Sequence, residues 1–544
     1  MKRLAVSTIA LALVLSSPVA AQDGEAAAEA RIRADVSFLA DDAIEGRRAG
    51  QRGYDLAALY VRTRMEAMGL TAGGPDGAWL QPMTLAAMKI APEGATVTWT
   101  PQGGAPVVWT HGTQLSVTPG ADAGHVTQSA ELVFVGYGLD APELGMDDYA
   151  GLDVRGKIVV VLSGVPTGLT GEPAAYLGDS KRRAAAAHGA IGYISLPKSD
   201  QALAAFGRAV AGAARQTSRT WVGADGKPHV DATGVIVGAS VGPEAGEALF
   251  AGAPKSYAEI RAEAAGQGGR PKGFALAGSA AFDVPTVRED VLTANVVGRI
   301  EGSDPVLKDE VVLLSAHLDH LGISETGEDR INNGALDNAG GVSIMLEAAR
   351  SLAATPPRRS VLVVALTAEE MGLIGSDFIA RNPVVAADKV VANVNLDMPI
   401  LTYDFTDLVA FGSDHSTLGP LVDRAARTEN LTLSPDPMPE QGVFTRSDHY
   451  SFVKAGVPSV MLATGYANGG EAQWDAFFAN GYHRPSDDLS MPFNWAAATR
   501  FARVNAAIAR AIADDDQRPL WYQGDVFGDR FAARAQKAPT PSTE

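Results

Sequence analysis

Five apolar runs punctuate the second half of this chain: "EVVLLSA", "SVLVVALT", "KVVANVNL", "DLVAF" and "PSVML", starting at Glu310, Ser360, Lys389, Asp407 and Pro458. They are short and nearly continuous, so each predicts a strand buried on both faces. Between the first two, "AGGVSIMLEAARSLAA" places Val342, Met345, Leu346, Ala349 and Leu352 on one face of a helix. Such strands alternating with helices predict an α/β sandwich around a mixed, largely parallel sheet. Ligands in such sheets gather at the carboxyl ends of the strands.

Earlier in the chain the pattern differs. Ala57, Ala58, Val61, Met65 and Met68 recur at helical spacing between Tyr54 and Met68, and Gly69 suits the end of that helix. From Glu131, "ELVFVGYG", "GKIVVVL", "IGYISL" and "GVIVGAS" read as strands and "KRRAAAAHGA" as a helix. They predict a self-contained module inserted over residues 96–285. Residues 28–95 and 286–520 then form one domain around it, and 521–544 a C-terminal tail ending in a disordered "APTPSTE". A length of 544 residues accommodates this division.

Composition narrows the chemistry. The formal net charge is −18 with no Lys/Arg block, which argues against nucleic acid and anionic membranes as partners. The absence of cysteine excludes disulfides, thiolate metal sites and a cysteine nucleophile. At the N-terminus, Lys2 and Arg3 precede an apolar stretch from Leu4 to Leu15 and a small-residue cleavage site at Ala21. Residues 1–21 thus read as an export signal, and the mature chain is expected in the periplasm or outside the cell.

Ionisable residues cluster where the predicted strands end. "LLSAHLDHLG" supplies His317 and Asp319, "NNGALDNAGG" Asp337, "LTAEEMG" Glu369 and Glu370, "NVNLDMP" Asp397, and "NGYHRPSDD" Tyr482 and His483. Burying that many carboxylates together is prohibitive without cations. Two histidines and several carboxylates suit zinc, cobalt or manganese.

The order H-x-D, L-D-N-x-x-G, E-E-x-G-L-x-G-S, N-x-D, Y-H resembles the M28 family of co-catalytic zinc peptidases, mostly aminopeptidases, over Ala294 to Asp514. The resemblance implies a three-layer α/β/α sandwich of the zinc exopeptidase type and two Zn²⁺ ions. His317 and Asp397 would hold one ion, Glu370 and His483 the other, and Asp337 would bridge them. Asp319 would orient His317, and Glu369 would be the general base toward a zinc-activated water. Peptides with a free N-terminus are the implied substrates, with carboxypeptidase or dipeptidase action as the alternative in the same family. A cis peptide at Asp337–Asn338 is also implied. The inserted module resembles a protease-associated (PA) domain through "GYG", "GKIVVVL" and "GAIGYISL".

The resemblance also implies a tyrosine that stabilises the oxyanion, and Tyr482 is the candidate, since the loop "GVFTRSDH", its other place in the family, carries Phe444 and no tyrosine. His449, His320 and His415 read as hydrogen-bonding residues. His111, His125, His188 and His229 lack ligand spacing. A rival reading places a serine nucleophile at Ser240 in "GASVG", although Pro243 suits an ordinary helix start there. A ligand-deficient, receptor-like domain is the non-catalytic alternative, and the filled ligand positions oppose it.

Overall fold

The computed structural model describes residues 18–541, so the export signal expected over residues 1–21 lies outside the described residues as far as Ser17. Eight strands of a 17-stranded sheet form the part that carries the candidate site. In chain order they are β1 (Leu80–Ile90), β2 (Phe274–Ile300), β3 (Val311–His317), β4 (Ser360–Leu366), β5 (Val390–Leu396), β6 (Asp407–Phe411), β7 (Thr432–Ser434) and β8 (Ser459–Thr464). Their order across the sheet is β1-β2-β4-β3-β5-β8-β6-β7. The four central strands, β4, β3, β5 and β8, are parallel, and β2 and β6 run against them.

Every residue of β3, β4, β5 and β8 is buried, as their unbroken apolar sequences require. Alternate side chains enter opposite layers. Val312, Leu314, Val361 and Val363 pack into the core shared with Val342, Met345 and Ile508 of the helices Gly341–Ala354 and Trp495–Asp514. Leu313, Leu362 and Val364 meet Ile379 and Phe452, from the helices Ile374–Arg381 and His449–Lys454 on the other face. The sandwich is therefore three-layered.

β2 crosses the expected division. It is 27 residues long, and its pairing partners change at Thr286, beside the boundary placed between residues 285 and 286. Its first half pairs with Thr96–Pro101 and Gly124–Phe134 of the inserted module, and its second half with β1 and β4. The module's own parallel strands are Ile158–Leu162, Gly192–Leu196 and Val237–Val241. A further strand, Ser218–Trp221, adds to the edge of β1, with Arg219 opposite Ala87. Two sheet connections thus fix the module against the larger domain.

The segment from residue 521, read above as a tail, is packed against the domain in part, with residues 539–541 exposed. Trp521 and Phe527 are buried, a helix runs over Val526–Phe531, and Ala538 bridges to Tyr522. The aromatic residues of "WYQGDVFGDRF" supply the apolar area that holds it. Among the described residues no helix is long and apolar enough to cross a membrane.

Candidate metal centre

The in-register parallel pairing of β3 with β4 places His317 opposite Leu366, and β5 follows beside them. The residues just beyond these strand ends, Asp319, Glu369, Glu370 and Asp397, therefore emerge at one edge of the sheet. Asp337 arrives from the irregular segment leading into the helix Gly341–Ala354, through a cis Asp337–Asn338 peptide. His483 comes from the loop after the helix Gly470–Asn480.

Two donor clusters result, and Asp337 belongs to both. His317 Nε2 lies 2.9 Å from Asp397 Oδ1 and 3.3 Å from Asp337 Oδ1. His483 Nε2 lies 3.1 Å from Glu370 Oε2 and 3.4 Å from Asp337 Oδ2. Bonds of about 2.0–2.1 Å to a tetrahedral zinc separate neighbouring donors by roughly 3.3 Å. The observed spacings fit that requirement, and the N/O donor set fits zinc. Asp337 offers one oxygen to each cluster, as a bridging carboxylate must. All five predicted ligand residues are thus brought together.

His320 joins them without having been expected to. Its Nδ1 lies 2.6 Å from Glu370 Oε1, and it forms a further donor group with Asp337 and Glu370. His483 is the more exposed of the two histidines facing Glu370. "HLDH" holds two histidines three residues apart, and only the first sits on the strand. That pattern is the signal that could have drawn attention to the second.

Asp319 meets His317 through its backbone. His317 Nδ1 meets the backbone carbonyl of Asp319, at 3.0 Å, and not its carboxylate. Oδ1 of Asp319 instead accepts the backbone N–H of Glu369 at 3.0 Å. The chain leaves extended geometry after His317, so the two-residue alternation that would align the side chains no longer applies. Burial pushes the Asp319 carboxyl up to about 7.

Glu369 lines the same small cavity as His317, Asp337, Asp397 and Tyr482. Burial, opposed by His317 and reinforced by Asp397, Asp448 and Glu370, holds its carboxyl well above the usual range. Burial and Asp337 act to raise Glu370, but its contacts with His320 and His483 outweigh them and lower it. The neighbouring glutamates are thereby separated in character. Tyr482 stacks on His483, with ring centroids 3.8 Å apart, and burial raises its phenol, keeping the O–H in place as a donor.

The remaining candidates lie apart from the donor clusters. His449 is buried beside Phe444, and burial pushes its imidazole down to about 3. Ser240 is held in a strand between Ser195 and Ser116, and among the described residues no histidine hydrogen-bonds its hydroxyl. That placement opposes the nucleophile reading.

Residues 295–509 match Peptidase family M28. This stretch is an M28 peptidase domain. Aminopeptidase YwaD of Bacillus subtilis (strain 168) is 26% identical over 201 residues, covering 36% of this chain and 39% of its own. A probable leucine aminopeptidase 2 of Aspergillus oryzae is 27% identical over 237 residues, covering 40% of this chain and 45% of its own. The chain thus matches less than half the length of these relatives. Among solved structures, the aminopeptidase from Aneurinibacillus sp. strain AM-1 aligns with a TM-score of 0.49 at 19% identity, covering 90% of this chain and 95% of that one.

Some of the M28 domain's support lies outside the matched stretch. Arg47 is buried, in left-handed backbone with φ 54°. Its guanidinium donates to the carbonyls of Leu318 at 2.9 Å and Gly334 at 3.0 Å, and to those of Leu39 and Asn333. It therefore ties the loop after His317 to the loop before Asp337. Burial lowers it to about 10, with Asp337, Asp487, Asp319 and Glu370 acting to retain the proton. Asp487 completes the brace, accepting the backbone N–H groups of Leu336 at 2.8 Å and Asp337 at 3.0 Å. Arg47→Met is expected to cost at least ~3 kcal/mol in chemical denaturation, since several buried carbonyls lose their donor.

His415 joins three parts of the chain. Its Nε2 lies 2.6 Å from Glu172 in the module, and its Nδ1 lies 2.6 Å from Asp525 in the C-terminal segment. Burial acts to lower the imidazole, but the two carboxylates outweigh it and push it up to about 10. A histidine raised in the fold stabilises fully below its unfolded value of ~6.5, and the contribution fades as pH rises through about 10. His415→Gln is expected to cost about 3 kcal/mol at pH 6. Melting curves should show the wild type losing its advantage over this variant between pH 7 and 10.

Proposed function

We propose that this protein is an exported aminopeptidase that uses two zinc ions and Glu369 as general base. The observation that carries the reading is Asp337, which turns one oxygen toward His317 and Asp397 and the other toward His483 and Glu370. His317, Asp397 and Asp337 would hold one ion, and Glu370, His483 and Asp337 the other. When bound, the ions supply Lewis acidity and lower the pKa of water.

The chain's own groups account for the proton and the charge. Glu369, with its raised carboxyl, accepts a proton from the attacking water and delivers it to the leaving amine. Asp319 fixes the backbone from which Glu369 reaches into the cavity. Tyr482 lines that cavity, where its O–H donates to the oxygen that gains charge. Asp487 and Arg47 hold the Asp337 loop without touching substrate.

Export follows from the basic start, apolar stretch and small-residue site of residues 1–21. The inserted module, PA-like in its motifs, narrows the approach, since its Asp179, Arg183 and Asp231 line a cavity with Glu369, Glu370 and His483. The test of direction is a set of peptides with free and acetylated N-termini. Free peptides should lose their first residue, and acetylation should abolish cleavage. Equal cleavage of the acetylated set would replace the aminopeptidase reading with carboxypeptidase action.

A further inference from the structure

The approach to the centre does not end at the metal ligands. A cavity of about 440 Å³ is lined by Glu369, Tyr482 and His483 at one end and by Arg183, Asp231 and Lys454 at the other. A second cavity, of about 360 Å³, shares Asp179, Arg183, Asp231, Gly372 and Lys454 with it. The two adjoin along these residues. The far cavity lies between the module helix Gly171–Ala187, the strand Ser218–Trp221 and the M28 domain at Gly372, Asp377 and Lys454.

Its charges do not cancel. Arg183 answers Asp179 at 2.8 Å and Asp231 at 3.7 Å. Arg381 reaches Asp231 at 2.9 Å and Asp377 at 3.0 Å, and Lys454 lies 3.8 Å from Asp377. All three lining carboxylates are thus paired. Two lining arginines are left over. Among the described residues, neither Arg182 nor Arg219 has a carboxylate within 4 Å or a hydrogen-bond partner, and both are partly buried. Burial lowers both guanidiniums, and Arg48 adds to the effect on Arg219. Two partly desolvated guanidiniums without a counter-charge are a ready site for an anion.

We propose that Arg182 and Arg219 form an anion subsite that binds a carboxylate of the peptide substrate, downstream of the residue being removed. This rests on the aminopeptidase reading, in which the N-terminus sits at the metal centre and the rest of the peptide runs outward. The carboxylate comes from the peptide's C-terminus or from an acidic side chain. In the first case the cleft selects peptides of one length, and in the second it selects sequence.

The experiment measures binding by calorimetry to metal-loaded Glu369→Gln protein, so that turnover does not intrude. The probes are Leu-(Ala)n peptides of increasing length, each as free acid and as C-terminal amide, and amidated peptides carrying one Glu. At one length the free acid should bind about 10-fold tighter than its amide, as one charge-assisted contact gives. A gain from Glu in the amidated series would assign the carboxylate to a side chain instead. Arg182→Met with Arg219→Met should erase the preference, and the paired Lys substitutions should keep part of it. Equal binding of acids and amides at every length, with no gain from Glu, overturns the proposal without recourse to any arginine variant. Hydrolysis of leucine p-nitroanilide by the unaltered protein reports separately on the aminopeptidase reading.

Discussion

Glu369→Gln is expected to lower kcat by roughly 1000-fold or more while the bound metal stays unchanged. The amide keeps the size and the hydrogen-bonding reach of the side chain but cannot take a proton. Glu369 is absent from both donor clusters, so its loss removes no ligand. Its backbone N–H still meets Asp319, so the loop keeps its place. Glu370→Gln should behave in the opposite sense. There the substitution weakens a carboxylate that faces His483 at 3.1 Å and His320 at 2.6 Å, so one metal should be lost more readily to a chelator. Metal analysis alongside steady-state kinetics separates the two variants, and identical behaviour would remove the assignment of distinct roles.

Asp337→Ala is expected to abolish turnover and to deplete both metals. Of the ligand residues, Asp337 alone faces histidines of both clusters. Its removal leaves His317 with Asp397, a pair too poor in donors to complete a zinc site, and strips the shared carboxylate from Glu370, His483 and His320. Asp397→Ala should be milder, because it touches one cluster only. The comparison is made on protein dialysed against the same zinc buffer. Full occupancy in Asp337→Ala would show that its two oxygens do not bridge.

Much of this arrangement was legible beforehand because strand and ligand signals coincide. The runs ending in His317, Leu366 and Leu396 are buried end to end, and a parallel sheet aligns their ends. Position and chemistry therefore picked out the candidate residues, and the resemblance to the M28 family singled out His317, Asp337, Glu370, Asp397 and His483 as ligands. Arg47 was not picked out, because its partners are backbone carbonyls that meet only once two distant loops are folded. An arginine in "EGRRAG" looks like any surface residue. Asp319 does meet His317, but through its backbone carbonyl, a contact that no side-chain pattern in the sequence marks. The 285/286 division falls where β2 exchanges its module partners for β1, although the strand itself runs on through it. Arg182 and Arg219 are 37 positions apart, and only the fold places both on one cavity with no carboxylate partner among the described residues.

The claim at the centre of this account is a pair of metal sites sharing Asp337. Elemental mass spectrometry of the purified, active chain tests it most directly. The account predicts about two zinc ions per chain. Fully active protein holding fewer than one metal ion per chain would contradict it.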